Sequence, residues 1–414
     1  MQKSIKGAEK LRVLDVKQAV LGSDFWAECE FQTMIALAKR GYNVRMILPS
    51  MPNARKPASY VAKGFVLDAV VIRKRKSILA LAQFLFVALF KVAVLAGEID
   101  CLIMEPQTAL FVFPIVLLRR LITRLPVLVL RVESNPVETG GWIRTMFWTV
   151  RQEVSIRIAG IFFDKIYFIS PMLRDYYCSG SRLPKSKLGI WPSSVDLQVF
   201  DPMISSERKI MMLKKRLNIK NQFVIIYHGG ISRARGLMEA VRAMELLKDE
   251  HSNTILILLG YGDFREEIKR YIQSKGLGDV VIVPDPVQSS QEVAEYLAAS
   301  DFEILPMPDH IWWRYQCFLK VLECLAMNKP LVSTNLPAVR AIVDGAPVVF
   351  WLEGSSARDI ADGIRSYIAK RHTLKPQLGR GIASQFTRER NAQMLEAEIA
   401  QTYNVRRSTS INES

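Results

Sequence analysis

The chain has 414 residues, with 56 Lys and Arg against 40 Asp and Glu, a formal net charge of +16. Half of the residues are hydrophobic and 23% are charged. That composition excludes a disordered chain, a collagen-like repeat and a small disulfide-stapled module. At about 100–200 residues per domain, the length fits roughly two domains, each with its own core.

Five cysteines are scattered, odd in number and never spaced as a CxxC pair. A disulfide framework is not expected, and a reducing, cytoplasmic compartment fits. The four histidines form no HxH or HExxH pair, so no histidine-built metal site is expected. The N-terminal stretch MQKSIKGAEKLRVLDV has no apolar signal core. Charge is uneven. Residues 1–200 carry 28 Lys and Arg against 15 Asp and Glu, and residues 201–414 carry 28 against 25. The first half is therefore expected to face something anionic, a lipid surface or a nucleic acid.

Residues 11–16 read as a strand. A loop with Gly22, Ser23 and Asp24 follows, then apolar positions at helical spacing over 25–39, stopped by Lys39-Arg40-Gly41. Residues 44–48 are again strand-like. Strand, helix, strand at this spacing is a βαβ unit and implies a parallel sheet. Further strands are expected at 66–72, 101–104, 126–132 and 165–169, which makes the first half a doubly wound domain. The stretch Trp191-Pro192-Ser193-Ser194, followed by Phe200-Asp201-Pro202, marks a junction. The alternation then repeats. Strands are expected at 223–227, 254–259, 280–283, 302–305 and 331–334, with helices at 236–247, 266–274, 292–298 and 319–326. A last amphipathic helix covers 388–403, and the polar tail from Asn404 is expected to be loose.

Residues 78–97, ILALAQFLFVALFKVAVLAG, are long enough as a helix to cross a bilayer, and Arg73-Lys74-Arg75-Lys76 precede them. A span would split one sheet across a membrane and leave its edges unpaired, so a helix packed on the sheet is expected instead. The same helix would also serve as a membrane-surface element. A second apolar stretch, 109–121, ends in Arg119-Arg120, with Arg124 beyond. Leu, Val and Ile runs beside basic residues favour anionic lipid over nucleic acid, whose binders interleave basic residues with aromatic or polar ones.

Three segments carry chemistry. In FVIIYHGGISRARGLMEAVRAM, 223–244, a strand runs into Gly229-Gly230, a turn carries Arg233 and Arg235, and Gly236 opens a helix. Glycines allow close backbone approach, helix N-termini offer free N–H groups and guanidinium groups add charge, a combination suited to a diphosphate. A tight turn with solvated arginines is the plainer alternative. LLGYGDFREEI, 258–268, repeats the pattern with Gly260 and Gly262, where shaping the turn suffices. In FLKVLECLAMNKPLVST, 318–334, Lys320 and Glu323 lie three apart and share a helix face. That carboxylate would accept both hydroxyls of a ribose, although an exposed Lys–Glu pair has the same spacing. Asp301-Phe302-Glu303 is the one DxD-like triplet, and Asp301 reads better as a cap than as a metal ligand.

These segments together resemble the family-four, retaining GT-B glycosyltransferases, in the right order over nearly the whole chain. WPSSVDLQVFDP looks like the family's passage before the second domain. HGGISRARG looks like its glycine turn, LLGYGDF its G-x-G turn, SDFEILPMP its "aD…lP" strand, and LKVLECLAMNKPLVST its "lE.mA.gkPvv" helix and strand. The resemblance implies two Rossmann-like parallel-sheet domains facing each other across a cleft. Residues 1–200 would form an acceptor-side domain, 201–385 a nucleotide-sugar domain, 386–404 a helix crossing back to the first domain, and 405–414 a tail.

Carried over by position, Arg235 takes the place of the family's diphosphate-binding lysine, Glu323 the ribose-binding glutamate and Gly22 the phosphate-facing loop glycine. The implied donor set is Gly22, Gly229, Gly230, Arg233, Arg235, Gly262, Lys320 and Glu323, with Arg235 and Glu323 catalytic and no metal or cofactor required. Glu105 and Glu133, at strand carboxyl ends, are the acceptor-side candidates. The departures are Tyr315 where the family often has a second glutamate and Gly230 where it often has arginine. The first-domain histidine has no counterpart, the chain reading Glu105-Pro106-Gln107 there. The implied activity is transfer of a sugar from a nucleotide-sugar to a saccharide or lipid-linked acceptor, with retention, in envelope or glycan biosynthesis at the inner face of the cell membrane. A GT-B-type epimerase using His228 and His310, and an inactive basic binding module, stand as alternatives. A dinucleotide oxidoreductase lacks its GxGxxG turn. Trp312, Trp313 and Tyr315 would stack on a sugar or serve packing alone.

Overall fold

A computed structural model describes residues 11–21, 25–52, 54, 62–73, 78–95, 97–119, 126–134, 142–180, 183–203, 206–251, 253–287 and 289–412. Gly22 lies outside them, as do Lys74, Arg75, Lys76, Arg120 and Arg124. The described residues divide into two compact units, 11–192 with 388–412, and 193–387.

The first unit is built on β1 (Arg12–Val16), α1 (Phe25–Lys39), β2 (Asn43–Ser50), β3 (Phe65–Val71), α2 (Ile78–Leu95), β4 (Cys101–Met104) and α3 (Pro106–Arg119). It continues through β5 (Val127–Val132), α4 (Trp142–Phe162), β6 (Lys165–Phe168), α5 (Pro171–Ser179) and β7 (Leu188–Ile190). The strands form one parallel sheet in the order β3-β2-β1-β4-β5-β6-β7. Central strands β4 and β5 are buried at every position. That explains why β4, and β5 up to the buried Arg131, read as continuous apolar runs rather than alternating ones.

The second unit contains α6 (Glu207–Arg216), β8 (Phe223–His228), α7 (Leu237–Leu247), β9 (Thr254–Leu259), α8 (Arg265–Ser274), β10 (Val281–Ile282) and α9 (Ser290–Ala299). After these come β11 (Phe302–Leu305), α10 (Ile311–Arg314), α11 (Leu319–Ala326), β12 (Leu331–Thr334), α12 (Pro337–Val343), β13 (Val349–Leu352), α13 (Ala357–Lys370) and α14 (Gly379–Ala383). Its parallel sheet has the order β10-β9-β8-β11-β12-β13. In both sheets the winding direction reverses once, between β1 and β4 and between β8 and β11. Ligands of open α/β sheets bind outside the strand ends at such a switch point.

The final helix, α15, spans Arg388–Asn412 and belongs to the first unit, where Ala392, Leu395 and Ile399 join a core with Phe31, Leu37 and Trp191. The loose tail expected from residue 404 is corrected here: the helix runs on to Asn412. Nothing in NVRRSTSIN is a glycine or proline stop, and extending an existing helix costs far less than starting one.

Candidate functional site

In the second unit, β8 ends in Tyr227 and His228, and the chain turns through Gly229 and Gly230. Gly229 has φ 119°, and a Cβ there would come within 2.9 Å of Lys320 Nζ. A short turn, Arg233–Arg235, leads to Gly236 at φ 69°, where a Cβ would meet the Pro306 carbonyl oxygen at 2.0 Å. Both glycines are thus fixed by the backbone they permit. Gly260 and Gly262 lie directly beneath this turn, against the carbonyls of Gly229 and Ile231. Pairing of β8 with β9 extends there through Gly229 N–H to Leu259 O and Ile231 N–H to Tyr261 O, 2.9 Å each.

The Arg235 guanidinium stands over Gly230, with Nη1 donating to Tyr227 Oη at 3.5 Å and Cζ 5.0 Å from the Trp313 ring centre. Tyr227 Oη donates to Gly230 O at 2.8 Å, and Trp313 Nε1 donates to Ala234 O at 2.9 Å. The basic turn is therefore braced from two sides. Lys320, on α11, is buried with Nζ 3.8 Å from the Tyr227 ring centre and no hydrogen-bond acceptor. Burial lowers its pKa and neighbouring Arg235 adds to that, while Tyr227 and Glu303 oppose the fall without cancelling it. Burial alone would raise the Tyr227 phenol, but Lys320 and Arg235 outweigh it and hold the pKa low.

One turn along α11, Glu323 accepts a hydrogen bond at Oε2 from His228 Nε2, 2.8 Å away, while His228 Nδ1 lies 3.0 Å from Glu303 Oε1 on β11. All three are buried. Burial opposes the imidazolium, yet the paired carboxylates prevail and raise His228 to about 9. His228 thus clamps Glu323 in one orientation.

Other candidates point elsewhere. Arg233 is exposed, pairs with Glu267 and stacks on Phe264. Asp301 Oδ2 accepts from Val224 N–H at 2.7 Å, so it ties β11 to β8. Trp312 packs on His310, whose side chain caps α10. Among the described residues no group of three His, Cys, Asp or Glu side chains is placed to hold a metal.

A second cluster sits in the first unit at the carboxyl ends of β1, β4 and β5. Buried Lys17 Nζ lies 2.6 Å from Glu133 Oε1 and 3.5 Å from Glu105 Oε1. Arg131 Nη1 is 3.2 Å from Glu133, and Arg131 stacks at 4.0 Å on Trp191. Gln18 N–H donates to Glu105 Oε2 at 3.2 Å. Burial raises Glu105 to about 7, the Glu133 charge adding to the rise and Lys17 opposing it. Burial would raise Glu133 too, but Lys17 and Arg131 pull it down to about 2.

Residues 222–370 match the family described as Glycosyl transferases group 1. The second unit carries a glycosyltransferase group 1 domain. A curated relative, an uncharacterized glycosyltransferase of Methanocaldococcus jannaschii (MJ1607), is 22% identical over 201 residues, 48% of this chain and 50% of that protein. The chain thus spans about half the length of the curated relative it matches. Among solved structures, sucrose-phosphate synthase from Thermosynechococcus elongatus aligns with TM-score 0.72 at 16% identity, over 97% of this chain and all of that one. Alr3699/HepE of Anabaena, in complex with UDP and glucose, aligns with TM-score 0.71 at 15% identity, over 94% of this chain and all of that one. These likenesses establish the GT-B fold for the two sheets.

Within the glycosyltransferase group 1 domain, the structure gathers Gly229, Gly230, Arg235, Lys320 and Glu323 around the end of β8. Gly262 supports them from below, and Arg233 faces away. The sequence reading missed Tyr227, which separates the two cations, and Glu303, the outer partner of His228. Glu303, a carboxylate inside the otherwise apolar strand β11, was the available signal, since a buried carboxylate requires a partner.

Proposed function

We propose that this chain transfers a sugar from a nucleoside-diphosphate sugar to a hydroxyl of a saccharide or lipid-linked acceptor. The observation that carries the reading is the buried ammonium of Lys320. It has no acceptor, it lies beside the Gly229–Gly230 turn and near Arg235, and it shares a helix face with a clamped carboxylate. Burial lowers the Lys320 pKa although Tyr227 and Glu303 favour its charge, and a diphosphate would supply the hydrogen-bonded anion it lacks. Arg235 and Lys320 would then neutralise charge as the diphosphate leaves, the largest contribution such a site makes to the rate. Glu323, held at Oε2 by His228, would accept the ribose hydroxyls through Oε1. UDP and glucose bound to the Anabaena neighbour support a donor of this class.

We read the transfer as one with retention of configuration, as in the family-four enzymes the sequence resembles, within glycan biosynthesis. Glu105 and Glu133 are the acceptor-side candidates. Glu133, kept ionised by Lys17 and Arg131, accepts hydroxyl hydrogen bonds, and Glu105, poised near neutrality, is able to exchange a proton.

Thermal denaturation with UDP-, GDP- and ADP-sugars tests the donor site. One donor is expected to stabilise the protein, by about 2.7 kcal/mol at a hundredfold excess over Kd. Lys320→Met is expected to abolish that shift without lowering the stability of the unliganded protein, because it removes an unpaired buried charge. An undiminished donor shift in Lys320→Met would refute the assignment.

A further inference from the structure

The crossover helices α2, α3 and α4 of the first unit pack side by side, α2 on α3 and α3 on α4. Each turns one stripe toward the sheet. On α2 that stripe is Ala80, Phe84, Ala88 and Val92, all buried. A helix of a soluble protein normally turns charged and polar residues the other way. Here the outward stripes are apolar as well. On α2, Leu79, Phe86 and Phe90 are 81%, 71% and 65% exposed. Phe111 and Leu118 on α3 continue the surface, as do Phe147, Val150 and Ile161 on α4. Thirteen of the twenty-four large exposed hydrophobic side chains of the described residues lie on these three helices. A continuous apolar patch of this kind marks a surface that something covers.

Charge identifies what covers it. The three helices carry Lys91, Arg119, Arg144, Arg151 and Arg157 against a single acid, Glu153. Lys91, the one charge on α2, turns aside to Asp68 at 3.3 Å, leaving the outer stripe uncharged. Arg73, just before α2, is exposed and basic as well. A second copy of this chain meeting the same face about a two-fold axis would set this net positive charge against itself. An anionic bilayer instead accepts the apolar stripes among its acyl chains and attracts the net positive charge of the helices to its headgroups. No helix among the described residues is long and apolar enough to cross a membrane, and α2 is held to the sheet along its inner stripe, so the contact is with the surface.

We propose that the outer face of α2, α3 and α4 is a docking surface for an anionic lipid bilayer. This goes beyond the donor-site reading and stands whichever sugar is transferred. The test is co-flotation of the purified full chain with vesicles of phosphatidylcholine containing 30% phosphatidylglycerol, against phosphatidylcholine alone, at 50 mM and 500 mM salt. Strong binding to the anionic vesicles, weakened but not eliminated by salt, is the expected result. The double variant Phe90→Glu/Ile161→Glu, at sites 65% and 70% exposed, is expected to lose at least tenfold in partitioning while keeping its far-ultraviolet circular dichroism and its response to sugar nucleotides. Failure of the unaltered chain to float with anionic vesicles overturns the proposal. So does light scattering that shows a dimer which the double variant dissociates while vesicle binding stays unchanged.

Discussion

At the scale of single residues, the second unit is governed by how few charges its interior leaves unbalanced. His228 sits between Glu303 and Glu323, and its cation is what permits two carboxylates to remain buried. Its ordinary value of 6.5 is raised to about 9 in the folded chain. The stability it contributes is therefore fully present below pH 6.5 and is lost as the pH rises through about 9. Unfolding followed from pH 6 to pH 10 is expected to show this loss. His228→Gln, which leaves the two acids without a cation, is expected to cost about 3–5 kcal/mol at pH 7 and to flatten the alkaline decline. A variant as stable as the parent would mean that the clamp on Glu323 is dispensable. Sequence spacing placed Lys320 and Glu323 on one face but allowed an exposed pair. Burial of both side chains, Glu323 against His228 and Lys320 beside the Tyr227 ring, came from β8, which lies far from α11 in the chain.

At the scale of elements, the strands and helices followed from periodicity wherever one side of the element meets a core. The strands at 101–104 and 126–132 were legible because strands buried on both faces are almost wholly apolar, Arg131 being the one charge, paired with Glu133. Less legible was the fate of α2. An all-apolar helix has the same composition whether it is enclosed, spans a bilayer or lies on one, and only the exposure of alternate stripes distinguishes these. The last helix, α15, shows the opposite case. Its pattern was plain, while its destination was set by Ala392, Leu395 and Ile399 packing with α1. Leu395 is fully buried. Leu395→Ala is expected to destabilise the first unit by about 2–5 kcal/mol in a urea titration. A loss within 0.5 kcal/mol would show that the α1–α15 contact is not part of the core.

At the scale of the whole molecule, two parallel sheets each own a core, and the chain leaves the first, builds the second and returns. The first unit is thus made from two separated segments, 11–192 and 388–412. Removing residues 388–414 is expected to lower the unfolding temperature of the first unit by several degrees, with the donor-stabilised transition of the second unit retained. Calorimetry with and without a sugar nucleotide separates the two. Simultaneous collapse of both transitions would contradict the division. The sequence by itself determined the alternation of strands and helices, the two-unit plan and the positions of Arg235 and Glu323, because periodicity and glycine turns are local properties. It did not determine that Arg233 faces away, that Gly262 is a support, that Lys320 is buried without a hydrogen-bond partner, or that Lys17 joins Glu105 to Glu133. Those depend on which strands become neighbours at the two switch points, and proximity between residues dozens to over a hundred positions apart exists only once the sheets have formed.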